Sequence, residues 1–322
     1  MRNLLNLRTA SAPTTPVAAL AALAAAVAVT AGIAAPVTEG PADAHDDAIV
    51  RTAQTVSYQG ISVRIPAAGE GVQAAAESTS GEISLTVTRA ADGAVVVKTD
   101  AHRHASKPAA DRSVAQAAAP STTRTDSAKT CTDAAYSLSG WKLNDFKWYY
   151  NPAGAPAAIS TTAATAISAG TTALTSACGQ KSLGLTPAYV GQTAATPQVG
   201  AAGNCTGNDG RNVIGWVAGS GRWLGMTCTY FKTVNGVKTA TGTDTALNTQ
   251  YKFFTSTANC SGAYDLQSVV LHERGHSLGL NHVDQTAHAS AVMTPALSAC
   301  TIGKRTLGLG DYSGLKSMYG TK

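Results

Sequence analysis

HERGHSLGLNH, residues 272–282, sets three histidines at i, i+4 and i+10 with a glutamate directly after the first. On a helix, residues four apart share a face, so His272 and His276 can direct their imidazoles at one metal ion. Gly279 lets the backbone leave the helix at an angle closed to most residues, and the returning chain brings His282 to a third corner of a tetrahedron. Glu273 projects beside the metal, where it can take a proton from water. This is the ligand spacing of a catalytic zinc site whose fourth position stays open. From Cys131 onward the only glutamate is Glu273, and the only histidines are His272, His276, His282 and His288. A region that otherwise avoids both residue types has gathered them, so chance explains the cluster poorly.

The rest of the 322-residue chain suits an exported protein of one or two domains. Charged residues make up only 13%, and the formal charge of +5 arises wholly after residue 130, where 13 Lys and Arg face 8 Asp and Glu. No basic cluster or aromatic-basic interleaving accompanies it, which sets nucleic-acid binding aside. Arg2 and Arg8, the apolar run Val17–Ala35 and the small-x-small site Ala42-Asp43-Ala44 read as a cleaved secretory signal over residues 1–44. A membrane anchor is the alternative, disfavoured by the alanine content of the run, and no other stretch could span a bilayer. Six cysteines, all after residue 130 and without a CxxC pair, predict three disulfides whose connectivity the sequence leaves open.

Four segments follow from composition: the signal at 1–44, a small β-rich module at 45–104, a linker at 105–129 and a disulfide-bonded domain at 130–322. The module shows alternation at Ile61, Val63 and Ile65, at Ile83, Leu85 and Val87, and at Val95 and Val97 after Asp92-Gly93, the pattern of strands with a hairpin. The linker is Ala, Ser, Thr and Pro without periodicity. That order reads as the layout of a zymogen, with a permanent N-terminal domain as the alternative. His102, His104 or Asp100 could block a metal before cleavage, although solvated residues are the favoured reading of all three, and the even cysteine count makes Cys131 a disulfide partner. Strands are expected at Asp145–Asn151, Asn212–Trp216, Trp223–Phe231 and Thr243–Asn248, a helix at Ala157–Ala177 and a loop over Thr186–Gly210. The active-site helix should span Tyr264–Leu278, with Asp265 as N-cap and Leu266, Val269 and Val270 facing the core. A closing helix, Asp311–Tyr319, should carry Asp311 as cap and turn Leu315, Met318 and Tyr319 inward. Together these predict an α+β domain.

HExxHxxGxxH followed by a methionine in a turn, SAVMTP at 290–295, resembles the metzincin group of zinc endopeptidases. Within it the chain is most similar to the matrixins: YDLQSVVLHERGHSLGLNH, TDTALN, Met293-Thr294-Pro295 and LGLGDYSGLKSMYG carry the likeness, which is specific from about residue 243 onward. The resemblance implies a twisted, mainly antiparallel-edged sheet with the active-site helix, then a small irregular C-terminal subdomain with a closing helix. It implies His272, His276 and His282 as zinc ligands, Glu273 as general base, Gly279 as the turn and Met293 as an apolar floor beneath the metal. It also implies an exposed sheet edge near Leu224–Thr227 along which an extended peptide would lie. Two departures stand out. Residues 45–130 contain no cysteine, so the PRCGxPD switch of the animal enzymes is missing, and apart from His288 no histidine remains for a second, structural zinc. Recognisable calcium loops are missing as well, although scattered Asp and carbonyl groups leave room for calcium. Arg274 stands where relatives are usually apolar and is expected to point out of the helix. Asp284 is a candidate to orient a ligand histidine, and His288 reads as an exposed loop residue.

The expected activity is hydrolysis of peptide bonds by a secreted, monomeric zinc endopeptidase made as a precursor, acting on peptide or protein substrates. The competing reading is a catalytically inactive metzincin-like module that binds extracellular partners. Such a module has no use for Glu273.

Overall fold

A computed structural model describes residues 49–52, 54–79, 81–103 and 127–322. The expected signal at 1–44, His104 and most of the expected linker lie outside these residues. Val56, Tyr58, Ile61 and Val63 alternate inward along β1 (Thr55–Tyr58) and β2 (Ile61–Arg64), an antiparallel hairpin. Three longer strands follow as an antiparallel meander: β3 (Glu70–Ser78), β4 (Gly81–Arg89) and β5 (Val95–Arg103). The later strands are β6 (Lys147–Tyr150), β7 (Ala188–Gln192), β8 (Asn204–Cys205), β9 (Val213–Val217), β10 (Trp223–Val234) and β11 (Val237–Asn248).

Most of these strands join one nine-stranded sheet in the order β7-β6-β9-β11-β10-β3-β4-β5, with the short strand Trp141–Lys142 beside β11. Strands β7, β6, β9 and β11 run parallel, and every pairing from β11 to β5 is antiparallel. Among the described residues, beside the single turn Ser127–Thr130, three longer helices complete the α+β fold: α1 (Ala163–Thr172), α2 (Leu266–Ser277) and α3 (Leu309–Tyr319). Helix α2 presses Leu266, Val269, Val270 and Leu271 into a core shared with Leu224 and Leu247 of the sheet. That stripe is the apolar face which the sequence pattern predicts. A second core lies where Val56, Val63, Val72 and Leu85 meet Met226, Cys228 and Ala246, so β1 to β4 share their interior with β10 and β11.

Three expectations change here. The stretch 186–210 is not a plain loop, because it contributes β7, β8 and the short strand Val199–Gly200. The helix expected at 157–177 is confined to α1 and a following 3-10 turn, Ala173–Thr175. Most consequential, Leu224–Thr227 is no free edge: β10 pairs with β11 on one side and with β3 on the other. Residues 71–77 are buried without interruption, which is how a strand covered on both faces reads. Its alanines carry little β propensity, so the pattern hides in the sequence.

The six cysteines pair as Cys131–Cys178, Cys205–Cys228 and Cys260–Cys300, closing separations of 47, 23 and 40 residues. Each restricts the unfolded chain by about 3–4 kcal/mol in the loop-entropy account. Cys205–Cys228 ties β8 to β10, and Cys260–Cys300 ties the approach of α2 to the segment beyond Met293. Among the described residues no helix is long and apolar enough to cross a membrane.

Candidate metal centre

Helix α2 starts where the sequence places it. Asp265 Oδ2 accepts from Ser268 N at 2.9 Å and from Ser268 Oγ at 2.6 Å, a cap worth about 1 kcal/mol. Arg305 Nε donates to both Asp265 oxygens, at 3.1 and 2.9 Å, which holds the cap from the far side. The helix ends at Gly279, where φ is +91° and a Cβ would stand 2.4 Å from the Trp141 carbonyl oxygen. Any other residue there meets both backbone strain and a collision. Tyr319 Oη donates to the Leu278 carbonyl at 3.0 Å and accepts from Leu143 N at 3.0 Å, so α3 grips the last turn of α2. Burial pushes the Tyr319 phenol up to about 12, which keeps it a donor.

His272, His276 and His282 come together in the interior, 0%, 0% and 3% exposed. His272 Nδ1 faces the Val292 carbonyl at 2.8 Å and His276 Nδ1 faces the Leu280 carbonyl at 3.1 Å. A carbonyl only accepts, so each Nδ1 carries its proton and each Nε2 is left with a lone pair. Those two nitrogens converge with that of His282: His276 Nε2 stands 3.2 Å from His272 Nε2 and 2.7 Å from His282 Nε2. Tetrahedral zinc with bonds of about 2.0–2.1 Å sets neighbouring nitrogens roughly 3.3 Å apart, so the three rings fit such an ion. Converging lone pairs repel one another unless a cation lies between them, and the donor set can hold one.

Glu273 is fully buried against β10. Its Oε2 accepts from Thr227 Oγ1 at 2.6 Å, and a Cβ on Gly225 would come within 2.6 Å of Oε1. The strand can therefore pass this close to the carboxylate only with glycine at 225. Thr227, Thr229, Thr243 and Thr245 form hydroxyl pairs across β10 and β11, and Thr243 Oγ1 reaches Ser277 Oγ of α2 at 3.0 Å. This polar ladder fixes the helix register above the sheet.

The chain after His282 turns back beneath the rings. Met293 is 1% exposed, its carbonyl accepts from Val283 N at 3.0 Å, and its sulfur fills the space that a side chain at Gly275 would need. Asp311 anchors this turn through Val292 N at 2.8 Å and Met293 N at 3.3 Å, and it also accepts from Gly308 N at 3.1 Å. Asp311 is thus not the first cap of the closing helix. That helix begins at Leu309 with Gly308 as N-cap, and Asp311 sits three residues in, where its carboxylate serves helix and turn together. Burial pushes the Asp311 carboxyl up, against the pull of those three N–H groups. Lys304 Nζ donates to the carbonyls of Thr294 at 3.1 Å and Ala296 at 2.9 Å, bracing the strip that follows the methionine.

Arg274 does not point out of the helix. It is wholly buried, its guanidinium carbon 5.3 Å from the ring centres of both Phe146 and Trp148, and its Nε, Nη1 and Nη2 find no hydrogen-bond acceptor among the described residues. Burial draws its pKa down to about 9, and the nearby charges of Asp244 and Glu273 oppose that. Asp244, also buried, is pushed up to about 7 chiefly by desolvation, although Val213 N donates to it at 2.9 Å. A cation held by two ring faces and distant carboxylates is one that a helical-face count places outside.

His288 Nδ1 pairs with the Asp133 carboxylate at 3.0 Å, and Asp284 Oδ1 accepts from Thr286 N and Ala287 N at 2.9 and 2.7 Å, shaping its own loop. Asp100 lies on β5, two strands out from β3 and far from the rings. A residue outside the sequence reading approaches instead. Glu77, at the end of β3, is 0% exposed, and it forms with His272 and Glu273 a second group able to hold a metal. No local signal marks Glu77, because its position depends on the pairing of β3 with β10.

No curated protein and no solved structure matches the chain significantly. Residues 218–320 match the family model of the matrixins, a span that holds β10, β11, α2, the three histidines, Met293 and α3. Over that span the chain is similar to the matrixins, and the mixed sheet and few helices described above are consistent with an α+β, metzincin-like fold.

Proposed function

We propose that the chain is an exported zinc endopeptidase made as a precursor, with residues 1–44 as signal, 45–104 as propeptide, 105–129 as linker and 130–322 as catalytic domain. The observation that carries the reading is the convergence of three ring nitrogens, two of them left unprotonated by the carbonyl partners of their Nδ1 groups. His272, His276 and His282 would hold one zinc ion, which when bound lowers the pKa of water toward neutrality and polarises a carbonyl. Glu273 accepts the proton of the attacking water and delivers it to the departing amine as the C–N bond breaks. The Thr227 hydroxyl keeps one Glu273 oxygen fixed during both transfers. Met293 packs on Gly275 of α2, and the Val292 and Leu280 carbonyls hold the His272 and His276 rings in orientation. Main-chain groups of β10 are suited to hold an extended peptide once β3 has left.

The test is Glu273→Ala, measured on denatured protein substrate after limited proteolysis of the secreted chain, with metal content read in parallel. Proteolysis should fall by about 10²–10⁴-fold with metal retained, and a chelator should abolish what the unaltered chain does. Equal cleavage by the variant would leave the binding-module reading in its place.

A further inference from the structure

Lys304 is 7% exposed, and an ammonium taken that far out of water is stable where acceptors surround it. Its Nζ donates to the Thr294 carbonyl at 3.1 Å, to the Ala296 carbonyl at 2.9 Å and to the Thr294 hydroxyl. The hydroxyl contact fixes the direction in which these bonds run. A hydroxyl has one proton, and that of Thr294 goes to the Ala291 carbonyl at 3.0 Å, so a lone pair of the same oxygen receives the ammonium. Bonds arranged head to tail in this way polarise and strengthen one another.

The bond from Thr294 Oγ1 to Ala291 closes a turn over residues 291–294, and Val292 and Met293 lie inside it. The Val292 carbonyl is the group that meets His272 Nδ1 at 2.8 Å. The same peptide unit offers Met293 N–H to Asp311 Oδ1 at 3.3 Å. One ligand ring is therefore oriented by a peptide plane held between two buried charged side chains, Asp311 directly and Lys304 through Thr294. Burial pushes the Asp311 carboxyl up, and its three N–H donors and then the charge of Lys304 pull the other way. Arg305, next in sequence, reaches the cap of α2 at Asp265. Two adjacent side chains thus brace the start of the helix that supplies two histidines and the turn that orients one of them.

We propose that Lys304 is a positioning residue of the metal centre, acting on His272 through the Thr294 hydroxyl and the turn that carries the Val292 carbonyl. The proposal rests on the zinc-peptidase reading above. Removing the direct partner of a ligand histidine weakens metal binding by about 10–100-fold, and Lys304 stands further out, so the lower end of that range, about tenfold, is expected.

The experiment uses the full chain loaded with cobalt(II), whose visible spectrum reports ligand geometry, with a competing chelator to give the dissociation constant. Lys304→Met, which keeps the apolar stem and removes the donors, should shift the spectrum and weaken binding about tenfold. Thr294→Val breaks the same chain of bonds at its middle, leaves the lysine in place and carries the test if the lysine variant unfolds; it should act alike. The double variant should lose little more than either single one, because both changes cut one path. Lys304→Arg, still a donor, should recover most of the affinity. Tyr312→Phe removes the bond from α3 to the Lys181 carbonyl and serves as the control for fold stability: it should lower the urea midpoint and leave spectrum and affinity as they were. An unchanged spectrum and affinity in Lys304→Met and Thr294→Val, full additivity in the double variant, or an equal loss of affinity in Tyr312→Phe overturns the role of Lys304 and leaves the peptidase reading intact. Failure of the unaltered chain to bind cobalt, or binding that survives His276→Ala, overturns both.

Discussion

Replacing Asp244 by asparagine should stabilise the protein, and by an amount that depends on pH. The carboxyl is buried, with a pKa raised from 3.8 to about 7, and the charged groups acting on it are Asp209, which raises it further, and Arg274, which lowers it. A folded-state pKa above the unfolded value means that the folded protein holds a proton which the unfolded chain has released. Below about pH 4 both states are protonated and the side chain has no effect on stability. Between about pH 4 and 7 the unfolded chain gains by ionising, so stability falls, and above about 7 the full penalty applies. Three pKa units correspond to about 4 kcal/mol. Asparagine mimics the protonated acid and still offers an oxygen to Val213 N. Asp244→Asn should therefore match the unaltered protein near pH 4 and exceed it by on the order of 4 kcal/mol at pH 8. Urea unfolding at both pH values, with disulfides intact and the metal load held equal, measures the difference. A gain that is the same at the two pH values, or a loss at pH 8, would refute the account of Asp244 as a carboxyl ionised against its surroundings.

Two further outcomes are expected. Thr227→Val removes the hydroxyl that holds Glu273 at 2.6 Å, and because a hydrogen bond to a charged group contributes about 1.5–3 kcal/mol, the proposed peptidase function expects kcat after limited proteolysis to drop roughly 10–100-fold while KM and metal content stay near their original values. Asp311→Ala strips the acceptor from Val292 N, Met293 N and Gly308 N, three buried donors, and should lower stability by at least about 3 kcal/mol in chemical unfolding and loosen metal retention under dialysis.

The parts of the site that the sequence exposes are those decided within a few turns of chain. The i, i+4 spacing of His272 and His276, the cap at Asp265 and the turn at Gly279 are local, and each is where the pattern puts it. Tyr319 is readable too, as an inward residue of the closing helix, although that its hydroxyl holds the Leu278 carbonyl is seen only in the fold. The rest depends on partners distant in sequence. Asp311 has the residue type of a cap, and nothing nearby discloses that its oxygens also hold the methionine turn. Arg274 is polar on a helix, and only the arrival of Phe146 and Trp148 makes a buried place for it. The alanine run before Glu77 lacks the β-branched residues that announce a strand, so the occupied edge of β10 could not be inferred from composition. Disulfide pairing belongs with these, since six cysteines fix the number of links and the folded chain alone chooses among them.

The pairing of β3 with β10 also bears on how the chain reaches this state. Ala75 meets Thr227 across roughly 150 residues of intervening sequence, a contact of high order that comes late in folding. The first strands to leave the ribosome must wait for a partner that emerges near the end of synthesis. During that wait Val72 and Leu85 have no Met226 or Ala246 to cover them. Burial of the early strands is therefore tied to completion of the later ones.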